Sequence, residues 1–283
     1  MNYRHHFHAG NFADVFKHAL LLDLLSRLQK KDRGILYVDT HAGRGFYNLM
    51  VAATGDRLVR RPEHPEGWGR VAAAPQRHPI LQRYAELVNA TTNRDEGLYP
   101  GSPALVAANL RAQDRMHLCE LHPEDLSALK ARFTGRIRAS VHGEDGYNAV
   151  RAALPPPEKR ALVLIDPPFE SETEFDRVLQ ALGVGLQRLP AATFVVWHPL
   201  TARSDHARFY EALGKDIQTP VVTALLEIAG PDSGIRMRGC GLVVVNPPWG
   251  FEAEWKTFVA EAARLLSQGP GSRGSLSWLV AEN

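Results

Sequence analysis

The chain has 283 residues, 45% of them apolar, 23% charged and 8% aromatic, a balance that permits a large core and excludes a disordered or fibrous chain. Its 33 Lys and Arg against 31 Asp and Glu leave a formal charge of +2, so nothing about the whole molecule argues for a polyanionic partner and any such argument must come from a site.

The opening MNYRHHFHAG carries histidines where a signal peptide needs an apolar core. No window of the chain approaches the roughly 18 uninterrupted apolar residues of a membrane span. From Asn11 to Lys30, Val15, Phe16, Ala19, Leu22 and Leu25 fall at helical spacing, so a long helix precedes the first strand. The first apolar run, Ile35 to Val38, is closed by DTHAGRG (39–45). Between 53 and 98 arginine, proline and short polar stretches dominate, with a helical pattern at Ile80, Leu81, Tyr84, Leu87 and Val88. This segment reads as a helical insertion (53–98) within a sheet domain made of residues 1–52 and 99–283.

Further strands are expected at Met116 to Leu121, with Glu120 at its end, and at Ile137 to Val141, leading into GEDG (143–146). The clearest is Ala161 to Ile165, ALVLI, a continuous apolar run suited to a central strand buried on both faces. It stops at Asp166-Pro167-Pro168-Phe169, where two prolines forbid further ladder bonds. Later strands fall at Thr193 to Trp197, Val221 to Ile228 and Gly241 to Val245, with helices near 173–188, 203–213 and 252–267. Seven short strands alternating with helices predict an α/β fold with a mostly parallel sheet. Cys119 and Cys240 lie far apart and outside any CxxC pair, which argues against a thiolate zinc site and a disulfide scaffold and for a reducing, cytoplasmic location.

In open parallel sheets the ligand sits beyond the carboxyl ends of the strands, and here those ends carry glycines and acids. The turn after the first strand has Gly43 and Gly45 but lacks the full GxGxxG pattern, so alone it says little. Glu120 stands where a carboxylate could accept from both hydroxyls of a ribose. Asp166-Pro167-Pro168-Phe169 resembles the [DNS]PP[YFW] motif of amino-methyltransferases. In that class the acid and the first proline's carbonyl accept from an exocyclic amine, while the aromatic ring stacks on the base. The residue types suit the chemistry, because the lone pair of adenine N6 is delocalised into the ring. Acceptors on both amine hydrogens favour a more tetrahedral nitrogen aimed at a sulfonium methyl.

Asn246-Pro247-Pro248-Trp249 satisfies the same loose pattern after GLVVV. Asp166 is favoured because it follows Asp145 by one helix and one strand, whereas Asn246 closes what the sequence presents as the last strand. The histidines at 5, 6 and 8 make a poor metal site, having no carboxylate among them and lying on a terminus that does not pre-form a tetrahedron. Covering a cofactor or touching phosphate or base suits them better, with Lys17 and His18 following on the helix.

Taken together, YRHHFHAGNFADVFKH (3–18), YVDTHAGRG (37–45), YPGSP (99–103), ELHP (120–123), EDGYNAV (144–150), LVLIDPPF (162–169), VVWHPL (195–200) and GLVVVNPPW (241–249) resemble the bacterial 23S ribosomal RNA adenine-N6 methyltransferase family, ribosomal RNA large-subunit methyltransferase J, nearly end to end. The resemblance implies a class I, Rossmann-like methyltransferase fold with a small helical insertion and S-adenosylmethionine as donor. It also implies one adenine of 23S ribosomal RNA as substrate, modified on protein-poor RNA before the subunit is complete. Carried over residue by residue, it makes His18, His41, Ser102, Glu120, Asp145, Gly146 and Asp166 the cofactor-contacting set. Glu120 would hold the ribose, Asp145 the cofactor's adenine amine, and Ser102 and His18 the amino-acid end. Asp166, Pro167 and Phe169 become the catalytic set, with Tyr3, Lys17 and Phe169 on the substrate side. Phe169 stands where the family usually has tyrosine, which keeps the ring face and loses the hydroxyl. The expected protein is a monomer with no membrane partner and no metal. A DNA adenine methyltransferase shares the four-residue site, but 53–98, with seven Arg against six acids, is short and scarcely basic for a DNA-reading domain.

Overall fold

The computed structural model describes residues 7–50, 61–95, 97–201 and 206–281. The chain runs α1 (Phe12–Leu28), β1 (Leu36–Asp39), β2 (Phe46–Asn48), α2 (Trp68–Ala73), α3 (Pro79–Thr91), β3 (Leu98–Pro100) and α4 (Ser102–Ala107). It continues through β4 (Arg115–Cys119), α5 (Pro123–Phe133), β5 (Ala139–His142), α6 (Gly146–Ala153), β6 (Ala161–Ile165) and α7 (Glu174–Arg188). The last elements are β7 (Thr193–Thr201), α8 (His206–Asp216), β8 (Val221–Glu227), β9 (Met237–Val245), α9 (Glu252–Leu265) and β10 (Arg273–Val280).

Among the described residues, eight strands form one sheet in the order β10-β8-β9-β7-β6-β1-β4-β5. Strands β5, β4, β1, β6 and β7 pair in parallel, and β9 and β10 run against their neighbours. The seven-strand expectation is therefore one short. The missing strand, β10, alternates exposed and half-buried side chains along an outer edge, so it offers no apolar run to read. The hairpin of β2 and β3 forms a separate small sheet.

The ALVLI strand is central and buried at every position. Leu162 and Leu164 join the core on one face of the sheet, and Ala161, Val163 and Ile165 join the core on the other. The first core takes in α1 and α9, and the second takes in α6, α7 and α8, which makes three layers.

Helix α1 is buried almost all round, because α3 and α4 cover the face that the sheet does not. Asn11 caps it, accepting from the N–H groups of Ala13 and Asp14, each at 3.0 Å. The segment before it is held by the helices between β2 and β3. The Trp68 N–H donates to the Gly10 carbonyl at 2.8 Å, and Glu63 takes His8 and Asn11 at 2.9 Å each. A Cβ on Gly67 would meet the Gly10 carbonyl oxygen at 2.2 Å, so this approach of two backbones needs glycine. No helix among the described residues is long and apolar enough to cross a membrane.

Candidate active site

The parallel strands end on one side of the sheet, and their closing residues line a cleft of about 1380 Å³. Lys17, His18, His41, Ser102, Glu120, Asp145, Gly146, Asp166, Pro167 and Phe169 all border it. Every other candidate read from the sequence is thus brought to one place, while Tyr3, His5 and His6 lie outside the described residues.

Asp166 follows the last residue of β6, and its Oδ2 accepts from the Lys17 ammonium at 2.5 Å. Lys17 also pairs with Asp14, one turn back on α1, at 2.9 Å. Burial alone would lower the Lys17 pKa, but Asp14 and Asp166 outweigh it and push it well above the ordinary lysine value. The ammonium therefore stays charged and fixes the Asp166 carboxylate, whose Oδ1 has no hydrogen bond from the described residues. Asp14 is locked in turn by the Gly10 N–H at 3.0 Å. Phe169 packs against Phe175 (ring centroids 5.0 Å apart) and edge-on against Trp197 (5.9 Å). Its backbone lies in the left-handed region, at φ +50°.

The turn after β1 is stacked against the other strand ends. Glu120 accepts from the Gly43 N–H at 2.8 Å and the His122 N–H at 2.7 Å. Burial raises its pKa, and these backbone donors oppose the rise. Asp145 caps α6 through the Tyr147 N–H at 2.9 Å, and its Oδ2 takes Arg177 at 2.6 Å. Each of its oxygens keeps a lone pair for a further donor. Gly146 has no alternative, since a Cβ there would sit 1.9 Å from the Thr40 carbonyl oxygen. His41 accepts or donates at Nδ1 with Thr40 Oγ1 (2.8 Å), and burial pushes its pKa down to about 4, so the ring is neutral near pH 7. His18 Nδ1 meets Tyr99 Oη at 2.9 Å, and Tyr99 meets Tyr84 at 2.8 Å, a buried relay from α1 to α3.

Sequence reasoning missed Asp39, the last residue of β1. Fully buried, it accepts from Tyr37 and Ser102, both at 2.7 Å, and so sets the Ser102 hydroxyl at the cleft edge. Burial raises its pKa to about 6. An acid closing the first strand was the available signal. Asp14 and Trp197 were also missed; only the i,i+3 spacing of Asp14 and Lys17 hinted at either.

Asn246-Pro247-Pro248-Trp249 lies elsewhere. Because β9 is antiparallel to β7, Asn246 lies beside the start of β7, at the opposite pole of the sheet from Asp166. Strand direction separates the two tetrapeptides, and the sequence reading was mistaken only in taking β9 for the last strand.

A family model described as ribosomal RNA large subunit methyltransferase D, RlmJ, matches residues 32–280. This chain belongs to that family. Proteins called ribosomal RNA large subunit methyltransferase J from Haemophilus influenzae and Escherichia coli are each 35% identical to it over 289 aligned residues, covering all of both chains. A crystal structure of a Legionella pneumophila protein, 32% identical, superposes with a TM-score of 0.82 over 95% of this chain and 97% of that one. Family membership makes the protein a methyltransferase, with the cleft as its candidate active site.

Proposed function

We propose that the protein transfers the methyl group of S-adenosylmethionine to the N6 amine of one adenine in 23S ribosomal RNA, acting on protein-poor RNA before the large subunit is complete. The observation that carries this reading is Asp166-Pro167-Pro168-Phe169, set at the end of the central parallel strand and opening into a cleft that Glu120 and Asp145 also line. The names of the full-length relatives support the substrate. We take 1–52 and 99–283 as the catalytic domain and 53–98 as an inserted subdomain, a division supported by the pairing of β2 with β3 at its two ends.

The donor set fits the cofactor. Glu120 offers two carboxylate oxygens to a diol, Asp145 an acceptor for an adenine amine, and Ser102, having given its proton to Asp39, an acceptor for an ammonium. Gly43 and Gly146 keep the backbone close where a side chain would intrude. Bound there, the cofactor supplies a methyl group on an electrophilic sulfonium.

The chain does the rest by positioning. Lys17 holds Asp166 Oδ2, leaving Oδ1 to accept one amine hydrogen, while the Pro167 carbonyl accepts the other. Proline fixes φ and keeps that carbonyl oriented. Phe169 offers a flat face to the base, and stacking of this kind is worth about 1–3 kcal/mol. Asp166 orients the amine; once N6 is methylated its proton passes to Asp166 or to water. His41, neutral in the working range, adds no charge to the cleft.

The test is methyl transfer to protein-free 23S ribosomal RNA, to the assembled large subunit and to duplex DNA, with the modified base identified by mass mapping. N6-methyladenine in the free RNA alone is expected, and transfer to duplex DNA instead would give the polymer to the competing reading. Asp166→Ala should lower the rate by at least about 10²-fold, the usual cost of removing a preorganised polar group, with cofactor binding within a few-fold. Full activity in that variant would refute the role given to Asp166.

A further inference from the structure

Beside the cleft, at the ends of β4 and β5 and just after β5, lies a second group of chemically capable side chains. His117, Cys119 and Glu144 each offer a ligand atom, one imidazole nitrogen, one sulfur and one carboxylate oxygen, and these atoms lie within 4.8 Å of one another. His142, paired in register with Cys119, stacks its ring on His117 with centroids 4.0 Å apart, and its Nδ1 is 3.7 Å from Glu144 Oε1. None of the four borders the cleft.

We propose that His117, Cys119 and Glu144, with His142 beside them, form a binding site for a single zinc-like divalent transition-metal ion. A tetrahedral ion bonded to sulfur at about 2.3 Å and to nitrogen or oxygen at about 2.0–2.2 Å holds its ligand atoms roughly 3.3–3.9 Å apart. The observed cluster needs to contract by about 1 Å to reach that geometry. The mixture of one soft sulfur with imidazole and carboxylate suits zinc over magnesium or calcium.

The surroundings point the same way. His142 Nε2 is shut off from solvent and has no hydrogen-bond partner among the described residues, so a polar atom is left unsatisfied beside the cluster. His117 Nε2 faces Glu144 Oε1 at 3.3 Å, so one nitrogen and one carboxylate oxygen already converge. Cys119 is fully buried and in no disulfide. The CxxC rule misses this site because its ligands come from β4 and from the turn after β5, which the sheet brings together.

The ion takes no part in methyl transfer. Glu120 follows Cys119 and Asp145 follows Glu144, so it would tie together the two strand ends that carry proposed cofactor contacts. That consequence rests on the function proposed above, whereas metal binding does not.

The test uses tag-free full-length protein, stripped with a chelator and titrated with Co²⁺ and then Zn²⁺. One equivalent of Co²⁺ is expected, with tetrahedral visible bands and a sulfur-to-cobalt charge-transfer band that Zn²⁺ abolishes. Cys119→Ser should lose the sulfur band, and Cys119→Ser, His117→Gln and Glu144→Gln should each weaken Zn²⁺ binding at least about tenfold. Cys240→Ala should leave both unchanged. Glu144→Gln, at a half-exposed position, keeps the test open if the buried variants fail to fold. Binding without a sulfur band, as the N-terminal histidines alone would give, overturns the proposal. So does a band that survives Cys119→Ser, or a stoichiometry far below one.

Discussion

The Asp166 carboxylate is held by a buried lysine, and the ring three residues later is held by its own backbone and two aromatic neighbours. These two modes of fixation differ in what substitution should do. Phe169→Tyr keeps the face and should remain active, whereas Phe169→Ala removes a stacking partner worth about 1–3 kcal/mol, a loss of roughly 5- to 150-fold in kcat/KM. Single-turnover assays on the three proteins check this, and equal rates would remove stacking from the mechanism. Asp166 and Phe169 were legible in the sequence because strand, acid, prolines and ring are contiguous. The partner of Asp166 was not, since Lys17 is 149 residues away and meets it only when α1 packs on the sheet.

At the scale of elements, two similar tetrapeptides end two strands of opposite direction, and only one reaches the cleft. Asn246 is spent on structure: its amide donates to the carbonyls of Pro190 at 2.7 Å and Ala192 at 2.9 Å. Trp249 is 86% exposed, far from any stacking role in the cleft. Asn246→Ala should therefore cost about 1 kcal/mol of stability, chiefly through the part-buried Ala192 carbonyl, while leaving methyl transfer at full rate. Denaturant melts beside an activity assay would show it, and a lost activity without lost stability would reverse the assignment. Strand β6 was readable because burial on both faces leaves no polar position in ALVLI. Residues 137–141 were less so: Ile137 is fully exposed and the strand runs from Ala139 to His142. Strand β10 escaped because a half-solvated edge strand needs few apolar residues.

For the whole molecule, buried ionisable groups set how stability responds to acid. Burial raises Asp39 to about 6 from 3.8, so the folded chain binds a proton first and gains stability as pH falls from about 6 to about 4. Burial lowers His41 and His198 to about 4 from 6.5, so the unfolded chain is protonated first and stability drains over the same interval. His64 and His117, also lowered by burial, add to the losses, and Glu120, raised by burial, adds to the gain, so losses outweigh gains and predict a net fall in stability between pH 7 and pH 4. Asp39→Asn, which removes its part of the gain, should steepen that fall, and denaturant midpoints measured across the range decide it; an unchanged slope would contradict the burial of Asp39 as a charged group. Fold class and most of the cleft were visible in the sequence, because strand ends are local. The charge states just named were not, because each depends on how deeply the assembled layers bury a group.

The torsion at Phe169 has an evolutionary reading. A residue with a Cβ held at φ +50° carries a standing cost of about 1–2 kcal/mol that glycine, and in part asparagine, would relieve. A library screened only for survival of heating would accordingly drift toward Gly or Asn at 169 and collect robust but slower proteins. Under the proposed stacking role, endurance and turnover pull on the same bond in opposite directions, and the aromatic ring is expected to persist only where catalysis is being counted.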